Sequence, residues 1–179
     1  MLFNSFSFLV FFIIVSVLYF ILPHKARWIL LLTASCIFYM AWNPALIVLI
    51  GFTIIVNYIA AIRIYNSRRK QRKRKILTVC LLINFGLLFV FKYLGFMNST
   101  VLAIADKLNL NWPVKAINII LPMGISFYTF QATGYTIDVY RNKIKPEKHF
   151  GIYVLFVMFF PQLVAGPIER SENLLPQFY

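Results

Sequence analysis

Long apolar runs alternate with short polar breaks along the chain, and the length of these runs predicts helices that cross a membrane. A helix needs about 20 predominantly apolar residues to span the hydrocarbon core of a bilayer. Six runs approach this length, at about 5–22, 27–42, 45–62, 76–96, 117–137 and 152–168. The pattern therefore predicts an all-α fold, a polytopic transmembrane helical bundle with about six membrane segments, in a single transmembrane domain that covers residues 1–179.

Basic residues occur in every second break of this pattern. Lys25 and Arg27 follow the first run, eight Lys or Arg residues lie in 63–75, and four more occupy 139–149. If every segment spans, these three connections lie on one side, and the positive-inside rule makes that side cytoplasmic. We therefore expect a multi-pass protein of the inner (plasma) membrane. Its basic loop 63–75 is expected in the cytoplasm, and its N-terminus on the outside.

Composition supports the membrane assignment and disfavours other classes. The chain is 61% hydrophobic, with a mean hydropathy of +0.78 and a formal net charge of +13. Because the basic residues lie between apolar runs, topology and contact with anionic lipid of the bilayer explain them better than RNA binding, and no nucleic-acid partner is expected. Cys36 and Cys80 lie inside apolar runs without metal or disulfide spacing, so no metal site is expected.

The fifth segment carries more polar residues than a lipid-facing helix tolerates. Steps of three or four residues place them in two rows on roughly opposite faces: Ser126, Thr129, Thr133 and Thr136, and Tyr128, Gln131, Tyr135 and Asp138. Such a helix is expected inside a larger bundle, because buried polar groups need partners. Hydroxyls of the first row can bond their own backbone, whereas the second row suits either a structural network or a wet cavity.

The sixth segment begins as an apolar helix, but proline and glycine residues interrupt its second half. Pro161 removes a backbone donor and clashes with the preceding turn, and Gly166-Pro167 interrupts the helix again. The seventeen residues of 152–168 would form a helix of about 25 Å, shorter than a hydrocarbon core of about 30 Å. A kinked or re-entrant backbone is expected, buried in protein or beside a cavity. Glu169 and Arg170 could form an interfacial ion pair.

No residue pattern in the chain is typical of a catalytic centre. His24 and His149 are the only histidines, and each lies in a predicted loop beside lysines, so both are expected to be solvated. The sequence contains no glycine-rich phosphate loop, serine nucleophile elbow or paired-histidine metal motif. The residues alone therefore support a polytopic membrane protein with an internal polar cavity.

Two stretches of the chain, taken together, resemble a known family. "LPMGISFYTFQATGYTIDVYR" (121–141) followed by "FFPQLVAGPIERSENLLPQF" (159–178) is similar to the membrane-bound O-acyltransferase (MBOAT) family. The stretch "FYMAWNPALIVLIGFTIIVNYIAA" (38–61) resembles the bacterial alginate O-acetylation branch of that family. The resemblance covers most of the chain, and it identifies the chain as the N-terminal part of an MBOAT-like fold.

The resemblance implies an O-acyltransferase built around a tunnel through a larger helical bundle. It implies acetyl-CoA or another acyl donor as a substrate from the cytoplasm, with no bound cofactor. The acceptor would be a hydroxyl of an extracellular or cell-wall polysaccharide, reached directly or through a periplasmic or extracellular acyl-acceptor protein. The family's catalytic histidine lies in its C-terminal half, which is expected beyond Tyr179. No catalytic residue is therefore expected here, and the chain alone is expected to be inactive.

The resemblance also suggests which residues line this part of the tunnel, as polar wall or as ion-pair structure. They are Gln131, Tyr135, Asp138, Arg141, Gln162, Glu169 and Arg170. Arg141 would face the cytoplasm, where a CoA phosphate arrives, although the positive-inside rule explains its position better. Two other classes stay open: a small transporter or flippase subunit with a polar pathway along the fifth helix, and a non-catalytic membrane scaffold.

Overall fold

The computed structural model describes residues 5–107, 122–163 and 169–179. Within these ranges all regular elements are helical, which confirms the predicted all-α class. The α-helices are α1 (Phe6–Ile21), α2 (His24–Met40), α3 (Ile47–Asn66), α4 (Lys70–Lys107), α5 (Ile125–Tyr140), α6 (Phe150–Met158), α7 (Phe160–Leu163) and α8 (Ser171–Leu174). Two 3-10 helices, Pro44–Leu46 and Leu175–Phe178, accompany them.

Local capping residues set the ends of the first helices. Ser5 precedes α1, and its hydroxyl oxygen accepts a hydrogen bond from the Phe8 N–H at 3.2 Å. Pro23 has an extended backbone and separates α1 from α2. The Asn43 side chain accepts from the Ala45 N–H at 3.0 Å at the start of the 3-10 helix. The predicted breaks after the first and second apolar runs are therefore confirmed, and Asn43 and Pro44 are residue types that favour a helix start.

The basic stretch 63–75 is mostly helical, so its prediction as a loop is wrong. Helix α3 continues to Asn66 and α4 begins at Lys70, which leaves only 67–69 as the connection. Lysine and arginine have high helix propensity, and the stretch contains neither glycine nor proline. The positive charge of this stretch therefore indicates that it lies in a polar environment. The charge does not prevent the residues from being helical.

Contacts between helices bring the basic stretches together at one end of the bundle. The Trp28 ring, near the start of α2, lies 4.8 Å from the ring of His149, before α6. The Tyr58 hydroxyl of α3 donates to the Lys148 carbonyl oxygen at 2.7 Å, and α3 ends eight residues later at Asn66. We call the end formed by 22–27, 63–75 and 141–149 the basic end.

The helices support a membrane protein, but their lengths differ from the six predicted spans. Within the described ranges, two helices are long and apolar enough to cross a membrane, Pro44–Asn66 and Lys70–Leu102, and two apolar helices are shorter, Phe6–Ile21 and Phe150–Leu163. Helix α4 extends beyond the predicted fourth segment, 76–96, at both ends, and its last residues form part of the surface helix or loop expected at 97–116. The remaining stretch, 108–116, lies outside the described residues.

Helix α3 lies at the centre of the bundle, where it packs chiefly against α4 and α5, while α2 packs against α6 and α1. Among the described residues the three largest fully buried side chains, Tyr128, Tyr135 and Tyr153, belong to α5 and α6. In contrast, α1 buries only Val15 and leaves the rest of its apolar surface open, as expected for contact with lipid. Helices α5 and α6 therefore form much of the core.

Candidate functional site

The last apolar helix is broken inside the second motif stretch. Helix α6 ends at Met158 and α7 begins at Phe160, with Phe159 between them at φ −54° and ψ 110°. Pro161 has no N–H to donate to the Val157 carbonyl, and its ring would clash with that turn of a continuous helix. The predicted kink is confirmed, and it lies two residues before the proline.

Side chains of two neighbouring helices satisfy the backbone groups that this break releases. In a continuous helix the Phe160 N–H would donate to the Phe156 carbonyl oxygen. Here the Phe160 N–H donates to Ser35 Oγ of α2 at 3.2 Å, and Gln131 Nε2 of α5 donates to the Phe156 carbonyl oxygen at 2.7 Å. All four residues are buried. Backbone groups buried in protein need hydrogen-bond partners, so the two side chains make the broken backbone tolerable.

The start of α5 packs directly on the backbone at the end of α7. Gly124 precedes α5 with φ +71°, in the left-handed region that favours glycine. A β-carbon on Gly124 would lie 2.5 Å from the Leu163 carbonyl oxygen. This contact joins the two motif stretches. We call Ser35, Gly124, Gln131 and residues 156–163 the helix-break clasp.

Most residues of both polar rows of α5 are buried, which confirms that this helix lies inside the bundle. Thr129, Thr133 and Thr136 are at most 3% exposed, and Tyr128, Gln131 and Tyr135 at most 2%. Thr133 Oγ1 donates to the Thr129 carbonyl oxygen at 2.7 Å, so the expected bonding of this row to its own backbone is confirmed. Ser126 instead lies 3.4 Å from Lys92 Nζ of α4.

Thr136 belongs to a buried amide network that the sequence analysis missed. Its Oγ1 lies 2.9 Å from Asn57 Oδ1, and Asn57 Nδ2 donates to Asn84 Oδ1 at 2.9 Å. Asn84 Nδ2 in turn donates to the Cys80 carbonyl oxygen at 2.7 Å. The network ties α3, α4 and α5 together. Single asparagines inside two apolar runs were the available signal, because an amide in a membrane helix usually finds a partner on another helix.

The remaining residues of the second polar row lie toward the basic end. The Tyr135 hydroxyl oxygen accepts from the Glu147 N–H at 2.8 Å, and its ring centroid lies 4.7 Å from that of Tyr153. Asp138 is partly exposed and lies 4.0 Å from Lys143 Nζ. Arg141 caps the end of α5 and is exposed. Most side chains of this row therefore take part in a structural network. That they line a tunnel stays a prediction.

Of the three residues predicted as tunnel lining in the second motif stretch, Gln162 belongs to the clasp, whereas Glu169 and Arg170 lie after it in the chain. Gln162 lies in α7, within the clasp. The predicted pairing of Glu169 with Arg170 is wrong, because Arg170 has an extended backbone that turns it toward the first turn of α8. There its guanidinium lies 3.7 Å from Glu172 Oε1. Both partners are about half exposed or more, so this pair contributes little stability.

Buried oxygen atoms without a hydrogen-bond partner occur in and around the clasp. Among the described residues these include the amide oxygens of Gln131 and Gln162 and the hydroxyls of Tyr153 and Ser171. Buried polar groups in proteins are nearly always paired with protein or water. The clasp region therefore offers hydrogen-bonding capacity for a further polar partner.

His149 is exposed, as predicted for a solvated residue, and it also has a structural role. It caps α6, where its Nδ1 accepts from the Ile152 N–H at 3.2 Å. A ring nitrogen can replace a capping hydroxyl because it is a hydrogen-bond acceptor for an N–H group of the first turn that has no partner within the helix. His149 and His24 line a pocket of about 230 Å³ at the basic end. In the parts of the chain that the structure covers, no cluster of three or more His, Cys, Asp or Glu residues could hold a metal ion.

Glu147 connects the loop before α6 to the last residue of the chain. Its Oε1 accepts from the His149 N–H and from the Tyr179 hydroxyl, each at 2.7 Å. Desolvation, together with the hydrogen bond to this carboxylate, raises the pKa of Tyr179 from 10.0 to about 12. The C-terminal residues are thereby held against the basic end.

Comparison with known proteins gives bacterial O-acetylases as relatives. The chain is 35% identical to "Probable alginate O-acetylase AlgI" of Azotobacter vinelandii, over 90% of this chain and 32% of that protein. It is 34% identical to "Peptidoglycan O-acetyltransferase" of Helicobacter pylori, over 99% of this chain and 38% of that protein. It is 33% identical to "Probable alginate O-acetylase AlgI" of Pseudomonas aeruginosa, over 99% of this chain and 34% of that protein. The chain thus spans about a third of the length of these relatives. No family model and no solved structure matches it.

Proposed function

Because this chain is a relative of bacterial O-acetylases of the membrane-bound O-acyltransferase type, as its motifs predicted, we propose that it forms part of an enzyme that acetylates a polysaccharide. The observation that carries the proposal is the similarity of 33–35% over 90–99% of the chain. These relatives are named for alginate and for peptidoglycan. The proposed acceptor is accordingly a sugar hydroxyl of an extracellular or cell-wall polymer.

In the proposed reaction the acceptor hydroxyl oxygen forms an ester bond with the acetyl carbon as the carbon–sulfur bond of acetyl-CoA breaks. A general base takes the hydroxyl proton, and CoA leaves as the thiol after protonation. We place that base, a histidine, in a part of the enzyme beyond Tyr179. His149 is unsuited to the role, because its Nδ1 accepts the hydrogen bond that caps α6.

The helix-break clasp supplies the proposed contribution of this chain. Non-helical backbone at membrane depth is tolerated only where it is buried in protein or lines a cavity. The clasp keeps such backbone in place through Ser35 and Gln131, and the amide oxygens of Gln131 and Gln162 have no hydrogen-bond partner among the described residues. We propose that these groups form part of the wall past which the acceptor or donor moves.

The proposed orientation places the basic end in the cytoplasm, where acetyl-CoA is available, and the N-terminus outside. Lys70→Cys and Lys145→Cys variants, each with Cys36 and Cys80 replaced by alanine, test it with a membrane-impermeant maleimide. Both positions should be labelled only from the cytoplasmic side. Labelling of the two from opposite sides contradicts the proposed topology.

The proposed activity is tested by deleting the gene in its own bacterium. Ester-linked acetate is then released by mild alkali from the purified extracellular polysaccharide and from the cell wall, and quantified. One polymer should lose its ester-linked acetate and regain it when the gene is restored. Unchanged acetate in both polymers contradicts the proposed function.

A further inference from the structure

A basic pocket and an apolar groove adjoin each other along the contact between α3 and α4. The basic pocket has a volume of about 530 Å³ and is lined by Arg63, Asn66, Ser67, Arg72 and Ile76. The apolar groove, of about 380 Å³, shares Arg63 and Ile76 with it and continues along the two helices. The two therefore form one continuous depression with a charged end and an apolar end.

The charged end lacks a negative partner in the described part of the chain. Arg63 and Arg72 both line the basic pocket, and none of the described acidic side chains lines it. The ion pairs in the described ranges lie elsewhere, at Lys143 and at Arg170. Ser67 Oγ is buried there without a hydrogen-bond partner. Two guanidinium groups and a hydroxyl are the donors that a phosphate group requires.

The apolar end has the length and the opening that an acyl chain requires. The groove extends over nine residues of α4, from Lys75 to Ile83, whose Cα atoms span about 12 Å along the helix axis. One leaflet of a bilayer core is about 15 Å thick. Ile59 and Val79 in its lining are 42% and 55% exposed, so the groove is open from the side.

We propose that this depression binds one phospholipid with an anionic headgroup. Its phosphate lies between Arg63 and Arg72, and one acyl chain lies in the groove between α3 and α4. A soluble phosphate would leave the apolar groove uncovered, and a zwitterionic lipid would leave the two arginines uncompensated. The proposal goes beyond acetyl transfer and does not depend on it.

Native mass spectrometry of the full chain in detergent, with added phosphatidylglycerol or phosphatidylcholine, tests the proposal. We expect phosphatidylglycerol to be retained in preference to phosphatidylcholine. The Arg63→Gln/Arg72→Gln variant should bind phosphatidylglycerol at least about tenfold more weakly, as expected for the loss of one charge-assisted hydrogen bond. The matched control, Arg68→Gln/Arg69→Gln, removes the same charge from exposed residues outside the pocket and should retain binding within about twofold.

Val79→Trp provides a second variant that keeps the charges and fills the apolar groove. It should weaken phosphatidylglycerol binding as well, whereas soluble glycerol 3-phosphate at millimolar concentration should not displace the lipid from the unsubstituted protein. Three outcomes overturn the proposal. They are equal retention of both lipids, equal losses in the two arginine pairs, and displacement by glycerol 3-phosphate, which would indicate a site for a soluble anion.

Discussion

Replacement of Gln131 by leucine tests the role of the clasp in holding the broken helix. Leucine keeps most of the side-chain volume but removes the donor to the Phe156 carbonyl oxygen, a bond of 2.7 Å in the core. A buried carbonyl left without a partner costs about 1–3 kcal/mol, and interhelical bonds in membrane proteins contribute up to about 1.7. We therefore expect a loss of about 1–2 kcal/mol, or a Tm lower by about 2–8 °C for a chain of this size.

With the partly exposed Cys36 replaced by alanine, the buried Cys80 provides the assay. Cys80 is 2% exposed, so a fluorogenic maleimide reacts with it when the bundle unfolds in detergent. Gln177→Leu is the matched control, because Gln177 is exposed and bonds only the Asn173 carbonyl oxygen of its own helical turn. Its Tm should stay within about 1 °C of the unsubstituted protein, as is usual for exposed positions. Equal Tm changes in the two variants, or none for Gln131→Leu, refute the assigned role.

Three further predictions concern the packing around the clasp and the basic end. Gly124→Ala should lower Tm, because alanine adds backbone strain of about 1–2 kcal/mol and its β-carbon clashes with α7. The control Gly134→Ala should leave Tm unchanged, because a β-carbon added there meets no atom within 4 Å. Thr136→Val should destabilise the bundle by about 1 kcal/mol through loss of its bond to the asparagine network. Exposed Thr33, which bonds only its own helix, gives an almost neutral control as Thr33→Val in the same Tm assay. Between pH 10 and about 12 the folded chain keeps the Tyr179 proton and the unfolded chain loses it, so stability should fall with rising pH. Denaturant titrations at each pH measure the free energy of unfolding. In Tyr179→Phe its decrease between pH 10 and about 12 should be smaller, because this residue no longer titrates.

Helical periodicity predicted the burial of α5, because the faces of a helix follow from spacing along the chain alone. Periodicity does not indicate which atom a polar side chain meets. The Ser35 bond to Phe160 joins residues 125 positions apart, and no spacing rule connects them. The error at 63–75 has a different cause. Charge indicates where the chain leaves the hydrocarbon, whereas helix ends depend on capping and backbone propensity, and this stretch has residues that favour helix.

The polar row of α5 also bears on the alternative of a transporter pathway. Gln131 donates into the broken helix, and the Tyr135 hydroxyl holds the loop before α6. Polar groups engaged in this way stabilise the bundle and are less available to a moving solute. The asparagine network on α3 and α4 has the same character, because its amide groups bond one another and nearby backbone. These contacts favour a rigid wall, which suits a positioned acyl-transfer reaction.

The most direct test of whether polysaccharide acetylation depends on the clasp is to measure ester-linked acetate in a deletion strain. The strain expresses each variant at the same protein level. The unsubstituted gene and Gln177→Leu should restore acetate on the polymer, and Gln131→Leu should restore much less. Full restoration by Gln131→Leu, or acetate that persists in the deletion strain, would contradict the account.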